Sequence, residues 1–266
     1  MSEAQWWERT AQLALRRLGD PDDDRISWFS SRQIDARQLI FALCQLLTAE
    51  RLQQAALEDL DMDQSVRDGL DVARHAFEHA LPGIKHMRDA LVHFEDWARG
   101  KGRGPQKQRV LAGTPLREAA AEFWGFEYDP MAGTITLGPY IISVAAIESA
   151  AVELAQAIYV AAQAVDSRNA ARLHAKVVGA LNAAGISFNK PSAPLRVTVG
   201  HDRKVWFSFL ATDGSNDGRS LWQAVIDALA FSELRLASAS RPEVEDTCEE
   251  FLLGRSLMCV SSTEAN

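Results

Sequence analysis

Between residues 33 and 60, Ile34, Leu39, Ala42, Leu43, Leu46 and Leu47 recur at the spacing of one helical face. A stripe of that period commits the segment to a long helix and requires other elements to cover it. Similar periodicity predicts helices at about 2–18, 64–80, 84–99 and 141–185, the last with one candidate break at Asp166-Ser167. Gly19-Asp20-Pro21 and Leu81-Pro82-Gly83 separate the early ones, because proline and glycine end helices. Alanine, the strongest helix former, abounds. The expected fold class is mainly α, a helical bundle.

Two segments alternate in the manner of strands and predict β-hairpins inserted among the helices. The first joins 123–128 to 134–137 around Asp129-Pro130-Met131-Ala132-Gly133. The second joins 195–199 to 205–209 around Gly200-His201-Asp202-Arg203. Ser220 to Ala237 reads as a C-terminal amphipathic helix, and Arg241-Pro242 opens an acidic, loose tail. The expected organisation is a helical body over 1–185 that contains a hairpin at about 123–138. A small hairpin-plus-helix unit at 186–240 docks on that body, and a tail follows at 241–266. The expected boundary lies near Gly185 to Pro194, where helix gives way to a proline-containing stretch.

Composition narrows the function. A net charge of -8 over 266 residues excludes a protein that coats nucleic acid non-selectively, since such proteins are basic throughout. An acidic enzyme can still bind RNA through a local basic patch. Met1 to Glu8 shows no basic leader ahead of an apolar run, so no signal peptide is expected. Ile141 to Val165 is the most membrane-like stretch, but Glu148, Glu153, Gln156 and Gln163 interrupt it, so no membrane association is expected. Cys44, Cys248 and Cys259 lack metal-like spacing and read as reduced packing thiols of a cytoplasmic protein.

The segment Lys85-His86-Met87-Arg88-Asp89-Ala90-Leu91-Val92-His93-Phe94-Glu95-Asp96-Trp97 carries the constellation that suggests a chemistry. Its arginine, the polar residue directly after it and a histidine five positions on resemble the signature of the HEPN superfamily. Those are bundles of four or five helices, many of them RNA-cleaving toxins or defence nucleases. The following Gly-Lys-Gly turn and hairpin resemble that family too, so the likeness covers about residues 33–165. The resemblance implies a catalytic set of Arg88, Asp89 and His93, no cofactor and no metal. It also implies a two-fold homodimer whose motifs face each other.

The residue types suit that chemistry. RNA carries its own nucleophile in the 2′-hydroxyl. An imidazole can take its proton or supply one to the leaving 5′-oxygen, worth about 10²–10⁴-fold. A guanidinium can grip two phosphate oxygens and stabilise charge in the transition state. His93 would be the acid/base, Arg88 the phosphate clamp, and Asp89 would orient one of them. On a regular helix Arg88 and His93 stand about 140° apart. One straight helix therefore cannot aim both at one phosphate, so either the helix is distorted or a second copy completes the site.

Directly after the motif, Arg99, Lys101, Arg103, Lys107 and Arg109 form a basic run with no acid among them. In an acidic protein this local reversal suits RNA phosphates, with Gly100, Gly102 and Gly104 in a flexible loop that lets backbone approach them. His75, His79, His86 and His93 are spaced 4, 7 and 7, but Pro82-Gly83 interrupts that stripe and no ligand set completes it. The expected function is metal-independent endoribonuclease activity in a toxin or defence system. An antitoxin or regulatory protein is a possible partner. The alternative is a catalytically silent module that binds RNA or a partner protein.

Overall fold

A computed structural model of the chain describes residues 2–20, 25–26, 29–185, 196–199, 205–209, 224, 227–229, 234–237 and 256–262. It is mainly helical with a small three-stranded antiparallel sheet, and it divides into two compact units, Met1–Ala162 and Gln163–Asn266.

The first unit is built around α2 (Ser31–Asp59), which buries Leu39, Ile40, Leu43, Leu46 and Leu47. Each such side chain contributes about 1.5–3 kcal/mol when fully removed from water. Ile34, counted in that stripe from the sequence, is instead partly exposed. α1 (Glu3–Gly19) lies along α2 and is small on its buried face, where Ala11 and Ala14 allow close approach. Ser2 starts α1 with a capping box, its hydroxyl accepting from Gln5 N while the Gln5 side chain accepts from Ser2 N. A two-stranded ribbon, β1 (Arg25–Ile26) and β2 (Phe29–Ser30), connects the two helices. α3 (Gln64–Ala80) follows and ends at the expected breaker.

α4 (Ile84–Val92), α5 (Phe94–Ala98), α6 (Pro105–Leu111) and α7 (Leu116–Glu122) are short and come in quick succession. β3 (Glu127–Asp129), β4 (Thr134–Leu137) and β5 (Tyr140–Ser143) then form the three-stranded sheet. The first hairpin is thus present, with Tyr128 opposite Ile135, but Phe123 caps α7 rather than opening a strand. Residues 141–143, expected to open a helix, instead belong to the third strand. Ile142 pairs with Ile135 and is buried, and tertiary packing of that side chain outweighs helical preference. Gln33 fastens the sheet to α2, donating to Tyr128 O at 2.9 Å and accepting from Tyr128 N at 3.0 Å.

α8 (Val144–Ala183) begins in the first unit and ends in the second, and it is continuous through Asp166-Ser167. Length and composition would let it cross a membrane, with a mean hydropathy of 1.4 over its most apolar window. Within the first unit it buries one stripe, Ile147, Ala150, Ala151, Leu154, Ile158 and Ala161.

In the second unit β6 (Arg196–Val199) and β7 (Val205–Phe209) form the second expected hairpin, with Val197 opposite Phe207. Two further strands depart from the sequence expectation. β8 (Leu234–Ala237) occupies the end of the span expected as helix, of which 224 and 227–229 are helical. β9 (Ser256–Ser262) lies within the expected loose tail and runs between β7 and β8 in the order β6-β7-β9-β8. Its Met258-Cys259-Val260 run suits a strand paired on both sides. The division between the units lies at 162–163, within the span of α8. The connector 189–194, the turn 200–203, Cys248 and the start of the tail at 241–255 lie outside the described residues.

Candidate functional site

The motif does not ride on one helix. α4 stops at Val92, and His93 (φ -109°, ψ 41°) stands between it and α5. The amide of His93 donates to Asp89 O at 2.9 Å and closes α4, while its carbonyl accepts from Asp96 N and Trp97 N and opens α5. The bend therefore falls at the histidine itself. The helix that carries Arg88 is therefore interrupted before it reaches His93.

Burial of Ile84, Met87 and Ala90 fixes α4 against the core and leaves Arg88 and Asp89 half-buried at its edge. Asp89 Oδ2 accepts from Trp97 Nε1 at 3.2 Å, and its Oδ1 lies 3.8 Å from His93 Nε2. Trp97 is buried and meets Phe123 edge-on at 5.3 Å. Phe123 leads to Tyr140 at 6.5 Å, and Tyr140 stacks on His86 at 5.6 Å. An aromatic wall thus holds the indole, the indole holds the carboxylate, and the carboxylate faces an imidazole that is half exposed. A half-exposed imidazole thus stands beside a carboxylate that the buried indole holds in place.

Arg88 differs from its neighbours in being unengaged. Its guanidinium makes no hydrogen bond or ion pair among the described residues. Its charge is felt by the Cys44 thiol, yet burial dominates there and pushes that thiol up to about 11. Cys44 therefore stays protonated, its Sγ donating to Ile84 O at 3.7 Å. A half-buried cation with its donors unspent is suited to an external anion.

The basic run after the motif is divided by the fold. Arg109 engages Glu122 Oε1 through its Nε and Nη2, at 3.1 and 2.7 Å, in a pair at the surface. Arg99, Lys101, Arg103 and Lys107 are exposed and make no ion pair among the described residues. The glycine-rich turn that carries the first of them is pinned rather than loose. Gln106, fully buried, accepts from Gly102 N at 2.5 Å and donates to Trp97 O at 2.9 Å and Ala119 O at 3.2 Å. The glycines serve this inward packing. A Cβ on Gly102 would stand 2.5 Å from the Trp97 ring, and Gly104 takes φ +60° against His86. Gln106 carried no warning in the sequence, where a glutamine among cations reads as surface.

The histidine stripe is not brought together as ligands. His75 Nδ1 lies 2.8 Å from Asp71 O, His86 stacks on Tyr140, and the Pro82-Gly83 turn separates α3 from α4. Among the described residues no three His, Cys, Asp or Glu side chains are placed to hold a metal ion.

A second titratable group lies where sequence gave no hint of it. Glu50 on α2 is fully buried, and Arg74 Nε on α3 stands 3.9 Å from its Oε1. Burial raises its pKa above the ordinary glutamate range, the charges of Asp71 and Glu78 add to that, and Arg74 and Arg51 oppose it. Arg74 is itself turned toward Asp71 at 2.6 Å, which leaves Glu50 poorly compensated.

No family model matches the chain, and no curated protein or solved structure matches it either.

Proposed function

We propose that this chain is a metal-independent endoribonuclease of a toxin or defence system, built on a HEPN-like helical bundle, with Arg88, Asp89 and His93 as its catalytic set. One observation carries the reading: an exposed imidazole backed by a carboxylate, at a helix break five residues from an unengaged arginine. His93 accepts the proton of a 2′-hydroxyl as that oxygen attacks the adjacent phosphorus. The P–O5′ bond breaks, the 5′-oxygen leaves with a proton returned from the imidazole, and a 2′,3′-cyclic phosphate remains. Arg88 neutralises the phosphoryl oxygens as charge builds on them. Asp89 holds the ring and stabilises its protonated form.

The active form in this reading is a cytoplasmic homodimer, in which a second copy covers the half-exposed imidazole and excludes water. An antitoxin or regulatory protein is its natural counterpart. The test is incubation of purified protein with total RNA in excess EDTA, beside His93→Ala and Arg88→Ala. Cleavage by the wild type alone, leaving 2′,3′-cyclic phosphate ends, is the expected result. Intact RNA in every lane, at a concentration where the protein is dimeric, overturns it.

Lys101 and Arg103 on a pinned turn and Lys107 on α6, without ion pairs among the described residues, favour a second reading, a silent module that binds RNA or a partner protein. There His93→Ala changes little, while charge reversal at these three positions abolishes binding.

A further inference from the structure

We infer that Phe94 is a nucleobase platform, stacking the base next to the phosphate held at His93. The inference rests on the RNA reading above and adds a residue that the catalytic set does not contain. Phe94 is 66% exposed, although it follows His93 directly and opens α5. The other rings of this region, His86, Phe123, Tyr140 and Trp97, are engaged with one another, whereas Phe94 makes no ring contact among the described residues. An apolar ring left in water beside a titratable side chain has surface to offer a flat partner.

The occupant follows from charge. Lys101 and Arg103 leave the far end of α5 on a turn whose backbone Gln106 ties to Trp97 O, and neither makes an ion pair among the described residues. Across α5 the axial rise is about 1.5 Å per residue, or roughly 7 Å over its five residues, which is the scale of a single nucleotide step. Glu95 and Asp96 are exposed between the two ends and disfavour an anion lying flat along the helix. They leave the arrangement of a base on Phe94, a phosphate at His93 and the following backbone on the basic turn. Stacking on a ring face tolerates any base, so the platform confers binding to unpaired RNA without base preference. Consecutive residues joined by a trans peptide have Cα atoms about 3.8 Å apart, which keeps ring and imidazole within the reach of one nucleotide.

The probe is a single-stranded 12-mer of 2′-O-methyl RNA carrying one 2-aminopurine, which binds without being cut. Full-length wild type is expected to quench its fluorescence and to bind an otherwise identical abasic 12-mer more weakly. Phe94→Ala should lose the quench and weaken binding about five- to 150-fold, while Phe94→Trp keeps both. Equal affinity and equal quenching by Phe94→Ala overturn the platform, as does absence of 12-mer binding by the wild type. So does conversion of a dimer to a monomer by Phe94→Ala in sedimentation, with RNA affinity unchanged. Cleavage of unmodified RNA in EDTA separates the two readings. Cleavage unaffected by Phe94→Ala in KM removes the platform and leaves the nuclease, whereas quenching without any cleavage removes the nuclease and leaves the platform.

Discussion

Asp89 touches two residues with different demands, and substitution separates them. Asparagine at 89 keeps an oxygen for Trp97 Nε1 but removes the negative charge 3.8 Å from His93. Asp89→Asn should therefore lower RNA cleavage about tenfold or more in kcat with KM and melting temperature nearly unchanged, measured by steady-state kinetics beside thermal denaturation. Glu50 makes a prediction of the opposite kind, on stability alone. Its pKa is raised in the folded chain. As pH climbs above the ordinary glutamate value of about 4.3, the unfolded chain releases a proton that the native one keeps, so stability falls across the window up to the raised value. Glu50→Gln should flatten that slope and stabilise the protein at neutral pH, as urea titrations across pH would measure. A slope equal to the wild type's would remove Glu50 from the account.

Elements reveal why some of the site was legible in the sequence and some was not. The breaker at Pro82-Gly83 and the periodicity of α3 and α4 are local, and the structure follows them closely. The break at His93 is not encoded by a glycine or proline. It arises where Trp97 must reach both Asp89 and the Phe123 ring, which α4 continued straight would not provide. Gln106 is the same kind of feature, since its three partners lie on different elements. Gln106→Ala leaves Gly102 N without its acceptor and takes a donor from Trp97 O and Ala119 O in a buried place. It should cost about 2–4 kcal/mol in chemical denaturation and free the basic turn, seen as faster amide exchange at 100–104. Unchanged exchange there would mean that the glycines alone set the turn.

At the scale of the whole molecule, the basic run from Arg99 to Arg109 mixes cations without an ion pair among the described residues with one, Arg109, that has a partner. A salt titration of single-stranded RNA binding reads that difference. Each of Lys101→Ala, Arg103→Ala and Lys107→Ala should reduce the slope of log affinity against log salt by about 0.7. Arg109→Ala should leave the slope unchanged, because Glu122 already holds that guanidinium. An equal loss from all four would mean that the run acts as an undifferentiated cloud of charge. Domain organisation belongs to this scale as well. The division into two compact units falls within α8, and β9 pairs with β7 some fifty residues earlier in sequence. Nothing local marks such a partner, since pairing choices rest on residues distant along the chain.

By itself the sequence determined the mainly helical class, the stops between the early helices and both hairpins. Each of these depends on residues within one or two helical turns, where spacing and backbone preference act directly. Tertiary structure decided the bend at His93, the pinning of the basic turn by Gln106, the loss of Arg109 to Glu122, the burial of Glu50 and the strand order around β9. Those outcomes depend on which surfaces meet, and burial against a distant partner outweighs the few tenths of a kcal/mol by which local preference distinguishes one conformation from another.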